Sequence, residues 1–154
     1  KLSEKFAKKI GSDVILGLNK FPKIYLPNGK IRVLKTRIKY YLLLVKPNFG
    51  CSTRKVFSAN KVFSKSKLGK LKNVSKTVII NSENDLENSA FRLYPNLFKL
   101  KNKLLSWKKA EFVRMTGSGS TLVMYFNKEV SAKNALKMSK RKLNNCWCIL
   151  SKVI

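Results

Sequence analysis

The sequence predicts an α+β fold in which helices cover one face of a mostly antiparallel, ferredoxin-like sheet. Three observations carry this expectation. Strand-like apolar segments stand at 40–46, 111–115, 122–126 and 147–153. Segments of helical period separate the first from the second and the third from the fourth. The second and third are joined by the loop Thr116-Gly117-Ser118-Gly119-Ser120-Thr121, too short for the crossover that parallel strands need.

Taken in order, Ser3–Ile10 has helical spacing at Phe6, Ala7 and Ile10, and Gly11 suits a C-cap. Ile24–Leu26 and Ile31–Ile38 read as strands around the turn Pro27-Asn28-Gly29-Lys30. Tyr40–Lys46 holds the longest apolar run and is closed by Pro47, as expected of a buried strand. Ser52–Phe63 is read as a helix with Val56, Ala59 and Phe63 inward and Ser52 or Thr53 as N-cap. The lysine-rich stretch Lys65–Lys76 is read as a loop. Leu86, Ala90, Leu93, Leu97, Leu100, Leu104 and Trp107 then repeat at alternating steps of 4 and 3, one apolar stripe along a helical face. Pro95 requires a break or kink near Tyr94. Asn84 or Asp85 suits the cap at the start, and Asp85 and Glu87 suit the positive end of the helix dipole. After the hairpin, Ser131–Lys142 is a helix with Ala132, Ala135, Leu136 and Met138 inward, and Trp147–Val153 is the last strand.

Composition narrows the function classes. With 44% hydrophobic residues in 154, a packed core is expected rather than disorder. No apolar run is long enough to span a bilayer, and no secretory h-region stands at the start. Cys51, Cys146 and Cys148 have no disulfide-framework spacing and read as free thiols of a reducing compartment, hence the cytoplasm. Without a histidine, Ser–His and Cys–His catalysis are excluded, and Cys146-x-Cys148 lacks partners for a tetrahedral metal site. The net charge of +27 reads two ways. It is a footprint for nucleic-acid phosphates, or it is coding bias: 28 of the 34 basic residues are lysine, asparagine is abundant, and glutamine is absent. The scatter of the lysines and the scarcity of arginine, the better base reader, favour bias and argue against a specific nucleic-acid partner.

Two segments suit chemistry. Gly117 and Gly119 let the backbone approach an anion closely, with Thr116, Ser118 and Ser120 as extra donors; a plain hairpin turn explains the same residues equally well. Asp13 is the sole carboxylate between Glu4 and Glu83 and is suited either to orient or deprotonate a hydroxyl or to serve in a turn.

Four segments in order resemble the diphosphocytidyl-methylerythritol kinase family of the GHMP superfamily. They are Gly11-Ser12-Asp13-Val14; the strand ending Val45-Lys46-Pro47, followed by Ser52-Thr53-Arg54-Lys55-Val56-Phe57; Asn84-Asp85-Leu86-Glu87; and Met115-Thr116-Gly117-Ser118-Gly119-Ser120-Thr121. The resemblance covers nearly the whole chain. It implies transfer of the ATP γ-phosphoryl group to a hydroxyl of a cytidine diphosphate-linked methylerythritol, with Mg2+. It further implies that Asp13 is the catalytic acid-base residue, Thr53 contacts substrate, Phe57 stacks on the cytosine, and Thr116 to Ser120 border the phosphates. Residues 1–38 then correspond to a remnant of the N-terminal domain and 39–154 to the C-terminal domain. Ile15-Leu16-Gly17 departs from the family's Pro-Phe-Phe. The family's lysine-bearing strand and main ATP loop have no counterpart here. Because residue 1 is Lys, they are expected upstream, and the isolated segment is expected to be inactive. Competing expectations are a basic RNA- or ribosome-binding module and a non-catalytic GHMP relative.

Overall fold

The computed structural model describes residues 6–7, 9–11, 14–18, 23–26, 30–34, 38–64, 74–107 and 109–153. The described elements are a 3₁₀ turn at Val14–Gly17, β1 (Lys23–Tyr25), β2 (Ile31–Val33), β3 (Tyr40–Pro47), α1 (Thr53–Ala59), α2 (Lys76–Ile80), α3 (Glu87–Leu93), α4 (Pro95–Leu105), β4 (Phe112–Met115), β5 (Leu122–Phe126), α5 (Glu129–Lys142) and β6 (Cys146–Val153). Of the expected first helix, residues 6, 7, 9 and 10 are helical.

The main sheet has the order β4-β5-β3-β6, and every neighbouring pair is antiparallel. Counted within that sheet, the first strand lies between the third and the fourth. This is the split βαββαβ arrangement the sequence predicts. The registers set which residues share a face: Leu43 faces Met124 and Val45 faces Leu122, while Val113 and Met115 of β4 line up with the same β5 residues. These side chains are buried with Phe126 under α1, α3, α4 and α5. Leu97 and Leu104 of α4, Ala90 of α3 and Ala132 of α5 complete that core, each 0–1 % exposed.

The chain breaks at Pro95 as expected. Tyr94 leaves helical geometry (φ −130°, ψ 75°) and Pro95 opens α4. The apolar stripe holds except at Leu93, which is 42 % exposed where α3 runs out.

Four expectations are corrected. The helix placed at Ser52–Phe63 ends at Ala59, where Asn60 turns to extended geometry, so Phe63 leaves the inward face. Residues 65–73 of the lysine-rich loop lie outside the described residues, but Lys76 opens α2, capped by the Ser75 hydroxyl. Helices are not confined to one face. Val78 and Ile79 of α2 pack with Leu42, Phe112 and Tyr125 on the opposite face, beside Leu34, Ile38, Tyr40 and Val74. The Arg114 guanidinium fastens α2 there by donating to the Ile79 and Ile80 carbonyls. Finally, Asp85 does not cap α3: its carboxylate accepts from the Ser64 N–H and hydroxyl at 2.8 and 3.0 Å.

β1 and β2 form a separate antiparallel hairpin, Lys23 opposite Val33 and Tyr25 opposite Ile31. Its turn residues 27–29 lie outside the described residues.

Candidate functional site

The site is built where β4 turns into β5. Thr116 N–H donates to the Thr121 carbonyl and Gly119 N–H to the Thr116 carbonyl, both at 3.0 Å, which folds 116–121 into a tight loop. Gly117 and Gly119 adopt left-handed φ of 55° and 89°, a region costly for residues with a Cβ. Around Gly117 there is open space. At Gly119 a Cβ would stand 2.9 Å from Met115 Sδ and 3.1 Å from Cys51 Sγ. The backbone there is pressed against the core, with no room for a side chain. Burial also pushes the Cys51 thiol up, so it stays protonated at neutral pH.

The first flank of the loop is α1. Ser52 caps this helix by accepting from Lys55 N–H, and its own N–H donates to the Tyr94 hydroxyl at 2.9 Å. The chain break at Pro95 thus fixes the start of α1. Thr53 Oγ1 lies 2.9 Å from Ser118 Oγ, a direct hydrogen bond between helix and loop. Two residues singled out separately in the sequence, one for substrate and one for phosphate, therefore meet.

One turn further along α1, Phe57 is 48 % exposed. Its ring lies 6.5 Å from that of Phe63, which is 57 % exposed. Phe57, Phe63, Leu86, Met115, Thr116 and Gly117 line one cleft of about 500 Å³. An aromatic wall and a glycine-rich loop at the same cleft suit a planar base joined to phosphates. At that exposure Phe57 is not a core residue.

The loop hydroxyls do not serve alike. Thr116 is exposed and Ser118 half-buried, whereas Ser120 is 4 % exposed and donates to the Phe49 carbonyl at 2.7 Å. Ser120 anchors the loop to the segment leading into α1. Asp13 lies outside the described residues. Val14, which follows it, opens the 3₁₀ turn.

The second flank is the start of α3. Asn84 and Glu87 touch the loop and the strand before it, and Asp85 holds the segment that carries Phe63. The sequence reading placed these residues only at a helix cap. A signal was present nonetheless: of seven acidic residues in the chain, three fall within 83–87. Among the described residues, no three of His, Cys, Asp and Glu stand together to hold a metal ion. No helix among them is long and apolar enough to cross a membrane.

Comparison with known proteins bears on this arrangement. Residues 63–145 match the family model described as GHMP kinases C terminal. The chain is 44% identical to the 4-diphosphocytidyl-2-C-methyl-D-erythritol kinase of Pelagibacter ubique (strain HTCC1062), over 99% of this chain and 55% of the relative. It is 32% identical to the enzyme of the same name from Anaplasma marginale (strain Florida), over 92% of this chain and 51% of the relative. The chain thus spans about half the length of the curated relatives it matches. Among solved structures, a 4-(cytidine 5'-diphospho)-2C-methyl-D-erythritol kinase superposes with a TM-score of 0.76 at 21% identity, over 95% of this chain and 55% of that one. A homoserine kinase from Cytophaga hutchinsonii ATCC 33406 gives 0.67 at 13% identity, over 99% of this chain and 54% of that one. At these identities the two structures speak for the fold.

Proposed function

The chain belongs to the GHMP kinases, and we propose that it supplies the C-terminal domain of an ATP-dependent kinase that phosphorylates the 2-hydroxyl of 4-diphosphocytidyl-2-C-methyl-D-erythritol in isoprenoid biosynthesis. The observation that carries this reading is the hydrogen bond between Thr53 and Ser118, which ties the glycine-rich loop to the helix whose Phe57 lines one cleft with Thr116 and Gly117. It joins a base-sized aromatic wall to a loop whose glycines bring backbone close to a bound anion. The names of the relatives point to the same substrate.

Phosphoryl transfer asks for positioning and for donors aimed at developing charge. Phe57 holds the cytosine by stacking, and Thr53 contacts the substrate beside it. Gly117, Ser118 and Gly119, with Thr116, border the phosphates. Ser120 holds the loop's backbone in place through Phe49. Asp13 is assigned the hydroxyl nucleophile, on its match to the family's Gly-x-Asp-Val segment. The described residues offer no ligand cluster of their own for Mg2+. The same proposal assigns residues 1–38 to the N-terminal domain and 39–154 to the C-terminal one. In support, the main sheet begins at Tyr40 and the β1–β2 hairpin is a separate sheet. A cytoplasmic location follows from the reading of the three free thiols.

The test is direct. The protein as encoded is incubated with ATP, Mg2+ and the cytidine diphosphate-linked substrate, and the phosphorylated product is followed by phosphorus NMR. Substrate-dependent product is expected. ATP consumption with homoserine but not with this substrate would reassign the chain within the superfamily.

A further inference from the structure

Among the described residues β4 is an edge strand: β5 pairs with one side and no described strand pairs with the other. An open edge leaves backbone donors and acceptors to be satisfied by other means. At Met115, the last residue before the glycine-rich loop, side chains from the start of α3 take that place. Glu87 Oε1 accepts from the Met115 N–H at 2.6 Å. Asn84 Nδ2 donates to the Met115 carbonyl at 2.9 Å and to the Gly117 carbonyl at 2.8 Å. The Asn84 carboxamide has only one orientation that fits, because its Oδ1 accepts from the Leu86 N–H at 3.1 Å. Glu87 is fixed in turn. Its Oε2 meets Lys101 Nζ at 2.6 Å, with both side chains less than a fifth exposed.

We propose that Asn84 and Glu87 are positioning residues of the kinase, which hold the glycine-rich loop in register with α1. The inference rests on the kinase reading for its catalytic consequence, but not for its structural one. Asn84 grips the strand end and, two residues on, the carbonyl of left-handed Gly117, so the turn cannot unwind without breaking both bonds. On the opposite flank Thr53 holds Ser118. The loop is therefore clamped between the helix that carries Phe57 and the segment from Asn84 to Glu87 that leads into α3. A cytosine on Phe57 and a phosphate at the loop are thereby set at a fixed spacing.

One substitution separates this role from the bond Asn84 makes within its own turn. Asn84→Asp keeps a side-chain acceptor for the Leu86 N–H in the turn that leads into α3. It replaces the amide donor with an acceptor facing two carbonyls. Asn84→Ala removes both functions. Glu87→Gln retains an acceptor for Met115 and loses the charge that Lys101 requires.

The experiment has two arms, run on the protein as encoded. Hydrogen–deuterium exchange of the peptide containing residues 115–121 reads the loop itself and needs no activity. In Asn84→Asp it is expected to quicken roughly 10–30-fold, the effect of losing two ordinary hydrogen bonds, while α3 keeps its protection. Steady-state kinetics form the second arm. A loosened loop is expected to lower kcat roughly 10–100-fold with a smaller change in KM for the cytidine substrate. Glu87→Gln is expected to fall between Asn84→Asp and wild type in both. Unchanged exchange in Asn84→Asp overturns the proposal, whatever the kinetics. Quickened exchange with unaltered kcat in an active enzyme overturns the positioning role. Wild-type protein without turnover, but with the expected exchange, shows that the kinase reading failed and the clamp did not.

Discussion

A methyl group at Gly117 and one at Gly119 meet different surroundings. Gly117 has positive φ and empty space, so Gly117→Ala is expected to lose only the left-handed penalty, roughly 1–2 kcal/mol. At Gly119 the same penalty is joined by contacts with Met115 Sδ and Cys51 Sγ at the rim of the core. Gly119→Ala is therefore expected to lower Tm further than Gly117→Ala, with thermal unfolding followed by circular dichroism as the measurement. Equal losses would show that Met115 yields freely. Phe57 carries the second residue-scale expectation. Phe57→Ala should weaken binding of the cytidine-bearing substrate by on the order of 1–3 kcal/mol and leave ATP binding unchanged, as read by calorimetric titration of each ligand. Its 48 % exposure predicts little change in Tm, and an unchanged substrate Kd would remove Phe57 from the site. Thr53, Phe57 and the two glycines are singled out in the sequence because they stand in short segments that resemble the family's. The clamp by Asn84 and Glu87 is not. Its bonds cross from the start of α3 to the end of β4, and a contact between distant segments leaves no periodic trace. The sequence shows asparagine and glutamate only at a helix start, where a cap is the nearest explanation.

Among the elements, α3 and α4 tested the meaning of an apolar stripe. Leu93 and Leu97 occupy consecutive stripe positions, yet Leu97 is fully buried and Leu93 is 42 % exposed. The break at Tyr94 turns the end of α3 out of line. Leu97→Ala is expected to destabilise by about 2–5 kcal/mol and Leu93→Ala by about 0.5 kcal/mol or less, measured by urea denaturation. Comparable losses would mean that Leu93 is covered in solution. The long helices, the hairpin and the strand order were predictable because each presents several turns or alternations of one period. Two failures have physical reasons. α2 has five residues and none fully buried, so it offers too little period to detect. Val56, Ala59 and Phe63 share helical spacing, but Asn60 ends the helix between the last two. Its side-chain NH2 donates to the Val62 carbonyl and its Oδ1 accepts from Ser89, bonds that compete with helix continuation.

For the molecule as a whole, the two faces of the main sheet respond differently to solution conditions. The face opposite the long helices holds Tyr40 and Tyr125 in edge-to-face contact at 5.6 Å. Burial raises both phenols above their ordinary value, an effect that the nearby Arg114 partly offsets. The folded chain then binds those protons more tightly than the unfolded chain. The stability they contribute is complete below about pH 10 and is lost as pH climbs through the raised values. Ultraviolet titration should show these two tyrosines ionising late, together with loss of structure; five tyrosines titrating normally in a folded protein would contradict this. The charge of +27 is the other global property. Binding to mixed RNA pools is expected at low salt and should weaken roughly 10³–10⁵-fold between 50 and 200 mM if 6–10 phosphates are contacted. Tight retention of one defined RNA motif at physiological salt would favour the RNA-binding reading over the kinase. The placement of β3 has a consequence for biosynthesis. Its partner β6 ends at Val153, which pairs with Tyr40, and its other partner β5 pairs Tyr41 with Phe126. On a translating ribosome, the central strand therefore emerges long before either neighbour exists. Its apolar run must wait, shielded by transient contacts or by a chaperone, until residues 146–153 leave the exit tunnel. Synthesis stalled before Cys146 should leave nascent chains open to protease at β3, and release of the last strand should close that window.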